Sequence, residues 1–179
     1  MGNLNDIITN LIAAGALGMH IALFSGIVFY FTGFKEQVIK LFSKNGIIFA
    51  FLLSSSAMLG SLYYSEIVGL EPCTLCWYQR IFSYSTVAIL GLALWKKKRD
   101  VIPYSMILSL LGFFFAAYHV FIQFNSNVSS VFCSPNATVS CEDFDFIALG
   151  YITMPLMSAT IFLTTISLLF LASKYNENK

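Results

Sequence analysis

Five apolar runs, at roughly 8–31, 47–66, 77–95, 102–124 and 146–172, constrain this chain more than any other feature of its 179 residues. Each is long enough to cross a hydrocarbon core, which takes about 20 mostly apolar residues in a helix. A helix also satisfies its own backbone where no water is present. Hydrophobic residues make up 58% of the chain and charged residues 11%, with 18 phenylalanines, a composition suited to a bilayer and not to a soluble domain. The predicted fold is an all-α membrane protein.

The charges sort by side. Lys35, Lys40 and Lys44 follow the first run, Lys96, Lys97, Lys98 and Arg99 the third, and Lys174 and Lys179 the fifth. With five crossings these nine residues fall on one face, which the positive-inside rule makes cytoplasmic, leaving the N-terminus extracytoplasmic. The opposite face carries Asp6, Glu66, Glu71, Glu142, Asp143 and Asp145, and Arg80 is its one basic residue. A net charge of +1 with no basic, aromatic-interleaved groove argues against a nucleic-acid partner.

Several segments carry local expectations. Met1 to Asp6 lacks a basic n-region and the run that follows exceeds a signal-peptide core of about 7–15 residues, so the first run is expected to be a retained span. His20 lies deep within it and reads as a neutral histidine hydrogen-bonded to a neighbouring helix. The linker 32–46 is either a short interfacial helix or a charged tether. Ser54, Ser55, Ser56, Ala57 and Gly60 form a surface for close helix packing, as do Gly112 and Ala116. Pro155, inside the fifth run, predicts a kink. Asn127-Val128-Ser129 and Asn136-Ala137-Thr138 match glycosylation acceptors, a short pattern that arises by chance. The tail 173–179 is expected to be disordered.

The chemistry centres on Glu71-Pro72-Cys73-Thr74-Leu75-Cys76-Trp77-Tyr78-Gln79-Arg80. Two thiols two residues apart can close into a disulfide, and a helix N-terminus or a nearby cation lowers the pKa of an attacking thiolate. If a helix starts near Cys76, Gln79 and Arg80 at i+3 and i+4 share a face with its sulfur. His119 and Gln123 share a face of the fourth run, at about the depth of Arg80. Cys133 and Cys141 lie in the loop 125–145, where a bridge either stapled shut or redox-active fits the spacing. All four cysteines fall on the outer, oxidising face, which favours disulfide chemistry over a metal centre; a zinc ribbon would prefer two CxxC pairs on the reducing side.

These residues resemble the DsbB/BdbC disulfide bond formation proteins. The likeness rests on Cys73-Thr74-Leu75-Cys76-Trp77-Tyr78-Gln79-Arg80, on Tyr118-His119 with Gln123, on the Cys133/Cys141 loop, and on Gly150-Tyr151-Ile152-Thr153-Met154-Pro155. The resemblance implies a four-helix transmembrane bundle over 47–172, preceded here by an extra N-terminal transmembrane helix and cytoplasmic linker over 1–46 and followed by a cytoplasmic tail over 173–179. It implies an oxidoreductase of the bacterial cytoplasmic membrane that reoxidises a soluble, DsbA-like thioredoxin-fold oxidase. The electrons would pass to a membrane quinone, either ubiquinone or menaquinone. Carried over by motif, Cys73 and Cys76 are the membrane-proximal pair, with Cys76 the thiolate nearest the quinone. Arg80, His119 and Gln79 belong to the quinone site, and Cys133 and Cys141 are the pair that meets the partner, Cys133 forming the mixed disulfide. The first run and the short Cys133–Cys141 spacing depart from the family pattern. Two alternatives stand beside it: a quinone reductase of the vitamin K epoxide reductase type, in which the loop cysteines would precede the CxxC, and a non-enzymatic membrane subunit with structural disulfides.

Overall fold

Unbroken apolar stretches with little proline fold here as long helices: α1 (Gly2–Phe31), α2 (Lys35–Leu62), α3 (Thr74–Lys96), α4 (Ile102–Phe124) and α5 (Met154–Glu177). The computed structural model describes residues 2–31, 35–125, 132–133, 139–142 and 147–177. The two glycosylation-like motifs at Asn127 and Asn136, and Asp143 and Asp145, lie outside the described residues.

Among these, Ile8–Gly26, Lys44–Ile67, Ile102–Phe124 and Met154–Lys174 are long and apolar enough to cross a membrane. α3 has the length, 23 residues, but Thr74, Gln79, Arg80 and Ser83 in its first three turns lower its hydropathy. It is packed between α2 and α4. α2, α3, α4 and α5 close into a ring, each helix lying against its two neighbours, while α1 stands outside against α2 and α5. The result is a four-helix membrane bundle with one extra N-terminal helix.

Lipid tails are as apolar as leucine, so packing rather than water exclusion holds such a bundle together. At one end Ile47, Ala50, Leu90, Ala93, Ile102, Leu169 and Ala172 form a buried cluster drawn from all four ring helices. Arg99 ties that end, donating to the carbonyls of Lys44 and Ala172. Gly46 lets α2 approach α5: a Cβ there would stand 2.7 Å from the Leu168 carbonyl oxygen. A Cβ on Gly112 would run into the Phe162 ring, so the expected small-residue packing of α4 is realised against α5. On α2 only part of the small-residue run behaves this way. Ser54 is buried and within 3.4 Å of Thr165, whereas an added Cβ on Gly60 meets nothing within 4 Å.

Four local expectations change. The segment 35–46 is neither a tether nor a separate interfacial piece but the start of α2, continuous with the span. α5 does not begin near 146: a small antiparallel hairpin, β1 (Ile147–Ala148) and β2 (Ile152–Thr153), precedes it, with Ala148 facing Ile152. Its turn takes Leu149 and Gly150 to φ 51 and 79, and only the glycine adopts that region without cost. Pro155 therefore sits in the first turn of α5, where it lacks only an amide that would be unpaired anyway, and produces no interior kink. The helix continues to Glu177, well into the segment expected to be disordered.

Candidate active site

Cys73 caps α3 with an extended backbone, its sulfur accepting from the Cys76 amide at 3.4 Å, and so sets the start of the helix at Thr74. Starting at Thr74, two residues before Cys76, the helix turns its residues to two sides. Cys73, Leu75 and Gln79 face the bundle interior and are buried, while Cys76 and Arg80 look toward α2 and α5 across a cavity.

On the interior side the two cysteine pairs meet around one imidazole. Cys73 and Cys76 are not bridged, their sulfurs 3.1 Å apart; Cys133 and Cys141 form a disulfide. Cys73, Leu75, Ile122 and Cys141 make one buried cluster, with Cys76 and Cys133 packed on its edge. His119, 2% exposed, holds the pairs together: its Nε2 is 3.1 Å from the Cys141 carbonyl oxygen and 3.8 Å from the Cys73 sulfur. A carbonyl can only accept, so Nε2 carries the hydrogen. Nδ1 is then the acceptor for the Gln79 amide N–H at 3.0 Å. Gln79 thus fixes the tautomer that presents a donor to both pairs.

Those donors converge on Cys73, in the loop just ahead of α3, and hold its thiol down from the ordinary 9.0 to about 4. The hydrogen bond from Cys76 is the largest cause; burial opposes it, and His119 and the Cys76 backbone amide add to the lowering. Of the inner pair, Cys73 is the sulfur its surroundings favour as thiolate. Both cysteine sulfurs and an imidazole nitrogen of His119 lie within 4.8 Å of one another, a spacing that a thiophilic cation can share; among the described residues no fourth histidine, cysteine or carboxylate joins them.

On the other side, Cys76, Gln79 and Arg80 line a cavity of about 740 Å³ between α1, α2, α3 and α5. Its walls are otherwise mostly apolar. Arg80 crosses to α2, donating from Nε to the Ser61 hydroxyl at 2.9 Å and from a terminal nitrogen to the Ser61 carbonyl at 3.0 Å. Its guanidinium also lies 5.3 Å from the Trp77 ring centroid, a cation–π distance. α2 then makes a single π-helical turn over Tyr63–Ile67. His119 is not on the cavity wall, so the structure brings Arg80 and His119 to opposite sides of the dithiol instead of to one point. His20 bonds Thr160 Oγ1 at 2.8 Å, as a satisfied interhelical histidine should.

Comparison with known proteins decides what kind of molecule this is. The sequence profile of the family described as "Disulfide bond formation protein DsbB" matches residues 43–172. The "SPbeta prophage-derived disulfide bond formation protein B" of Bacillus subtilis (strain 168) is 40% identical over 140 residues, covering 76% of this chain and 93% of that protein. The "Probable disulfide formation protein" of Chlamydia muridarum (strain MoPn / Nigg) is 39% identical over 137 residues, covering 76% of this chain and 98% of its own length. The chain belongs to the DsbB family. No solved structure matches it.

As a DsbB-family member it is a multi-pass membrane protein of disulfide bond formation, and the four ring helices with both cysteine pairs lie almost wholly within the matched region. α1 does not: the match begins at residue 43, and about a quarter of the chain lies outside the alignment to each of these relatives. Sequence reasoning about this DsbB-family chain did not single out Ser61, although an arginine in an apolar setting demands an acceptor. It also missed Tyr84, which lines the cavity and whose buried hydroxyl has no hydrogen-bond partner among the described residues. A tyrosine in an apolar helix gives little warning of that.

Proposed function

We propose that this protein is a dithiol:quinone oxidoreductase that reoxidises a soluble thioredoxin-fold oxidase on the outer face of a bacterial cytoplasmic membrane. The observation that carries it is the stacking of a closed outer disulfide on an open inner dithiol through His119, with an apolar cavity on the far side of that dithiol. The alternatives fit less well. The CxxC precedes the loop pair, against the order expected of a vitamin K epoxide reductase type, and a pair held as thiolate and thiol is unsuited to a purely structural brace.

Cys133 is partly exposed and Cys141 buried, so a partner thiolate reaches Cys133 first. Attack breaks the Cys133–Cys141 bond, forms a mixed disulfide on Cys133 and releases the Cys141 thiolate; the partner's second thiol then displaces Cys133 and leaves with its own disulfide. Cys141, packed against Cys73, attacks an inner Cys73–Cys76 disulfide at Cys73 and releases Cys76 on the cavity side. Resolution of that bond by Cys133 restores the outer disulfide and leaves the inner pair reduced, the state seen here. His119 donates to sulfur at the exchange point throughout.

The cavity fits a quinone ring. Its volume of about 740 Å³ lies in the range of small-molecule sites, roughly 300–1,000 Å³; Glu71, Cys76, Gln79, Arg80 and the Tyr84 hydroxyl are part of its lining, with Ser56, Ser158 and Thr164 set among its apolar residues. Arg80 and Tyr84 would hold the ring oxygens, Cys76 would face the ring, and the apolar wall would exclude water. A bound quinone supplies the sink for two electrons and two protons. Incubating the unmodified protein with a reduced thioredoxin-fold oxidase that retains only its attacking cysteine should break the Cys133–Cys141 bridge and accumulate a mixed disulfide on Cys133, because the partner has no second thiol to displace it; an adduct on Cys141 or Cys73, or none, would reverse the assignment of the outer pair.

A further inference from the structure

The described glycines inside the helices differ in what surrounds them. Gly46, Gly91 and Gly112 sit where helices touch: a Cβ on Gly46 or Gly91 would stand 2.7 Å or 3.2 Å from a neighbour, and one on Gly112 would strike the Phe162 ring. Gly15 and Gly18 of α1, and Gly60 of α2, are different, since a Cβ on any of them meets nothing within 4 Å. Small residues in membrane helices ordinarily let helices approach closely. Here they open a space, and all three line the cavity beside Cys76.

The shape of that cavity limits what fills it. From Ser61, beside Arg80, its lining follows α2 down to Phe42, about 28 Å of helix at 1.5 Å per residue. The charged side chains, Glu71 and Arg80, stand at the Cys76 end, and along α5 the lining continues past Ile161 and Thr164 to Leu168. A compact headgroup would leave most of this length unfilled. A ring at one end with a linear apolar chain behind it would occupy the whole.

α1 supplies one long side. Ile12, Gly15, Ala16, Met19 and Ala22 recur at helical spacing on the cavity face, while Leu11, Ile21 and Phe24 on the other side are 61–72% exposed, as lipid-facing residues are. The helix is pinned by hydrogen-bond contacts at two heights, Thr9 with Tyr64 at 3.2 Å and His20 with Thr160 at 2.8 Å, and by Ala16 packed on Ile152 and Met157. This element lies outside the family match.

We propose that α1 encloses the acceptor site as a channel for the apolar tail of a quinone, so that this protein selects tailed acceptors, Gly15 and Gly18 being the residues that keep the channel open. This rests on the acceptor site assigned above and adds to it a specificity element. Full-length protein carrying Trp95→Phe, which leaves Trp77 as its one tryptophan, reports binding in detergent by fluorescence quenching. A decyl-substituted quinone and its tail-less parent are titrated, with benzoquinone and naphthoquinone rings alike. The decyl compound should bind about tenfold tighter than its parent, and Gly15→Leu or Gly18→Leu should remove about that tenfold, the low end of what overfilling an apolar site costs. Tail-less binding should change less than about twofold, which also reports an intact fold at the ring end. Unchanged decyl affinity in both variants, equal losses for tailed and tail-less compounds, or equal affinities in the parent protein would each overturn the role of α1 while leaving the acceptor site standing. Failure of the parent protein to bind any of these quinones would bring down both.

Discussion

Cys73 is where the electrostatics of the site concentrate, because the His119 Nε2–H and the Cys76 amide point at its sulfur and the Cys76 sulfur lies 3.1 Å away. The folded value of about 4 lies below the ordinary 9.0, so the thiolate contributes stability that is fully present above pH 9.0 and is lost as pH falls through about 4. Alkylation of Cys73 in the reduced protein, followed by mass spectrometry across pH, should therefore track a group ionising near 4, and His119→Ala should move that midpoint upward. A midpoint near 9.0 in the unmodified protein would contradict the geometry. Arg80 makes a second residue-scale prediction. Its fork binds the Ser61 hydroxyl and carbonyl together, which a lysine ammonium cannot reproduce in the same plane. Arg80→Lys should insert normally, yet raise the quinone KM and slow turnover by about tenfold or more, the scale of one lost charged hydrogen bond of roughly 1.5–3 kcal/mol. Unchanged quinone-titrated kinetics would reduce Arg80 to an interfacial anchor.

Between elements the close approach of α4 and α5 depends on Gly112 lying under the Phe162 ring. Gly112→Ala should lower the thermal midpoint in detergent through overpacking of about 1–3 kcal/mol, with recovery on adding Phe162→Leu; Gly60→Ala, open on all sides, should not. The same contrast marks how far the elements were legible. Helix existence was readable from run length alone, because a bilayer leaves few other options for an apolar stretch of 20 or more residues. What small residues are for was not readable: the composition of Ser54 to Gly60 is the same whether the helix touches a neighbour or borders a cavity, and only the placement of the third helix decides. Pro155 misled for a related reason. Proline is tolerated both in the first turn and at an interior kink, and it was the φ of Leu149 and Gly150, invisible in an apolar run, that moved the start of α5 past the hairpin.

For the whole molecule, the basic residues and the cysteines mark opposite ends of the ring. Lys44, Arg99 and Ala172 meet at one, and both cysteine pairs at the other. A reporter fused after Lys98 should accordingly read cytoplasmic and one after Asn136 extracytoplasmic; the reverse for either would invert the orientation of the redox chemistry. The cysteines, Gln79 and Arg80 were all named from spacing and resemblance, whereas the division of the site into an exchange side at His119 and an acceptor side at Cys76 required knowing that α3 starts at Thr74. That division is the central claim, and one anaerobic experiment addresses it most directly. Protein with its inner pair reduced is mixed with one equivalent of quinone, and quinone absorbance and free thiols are followed together. The unmodified protein should convert the quinone stoichiometrically with loss of two thiols, and Cys76→Ser should convert none while retaining a reactive Cys73. Quinone reduction by Cys76→Ser at the unmodified rate, or none by the unmodified protein, would contradict the account.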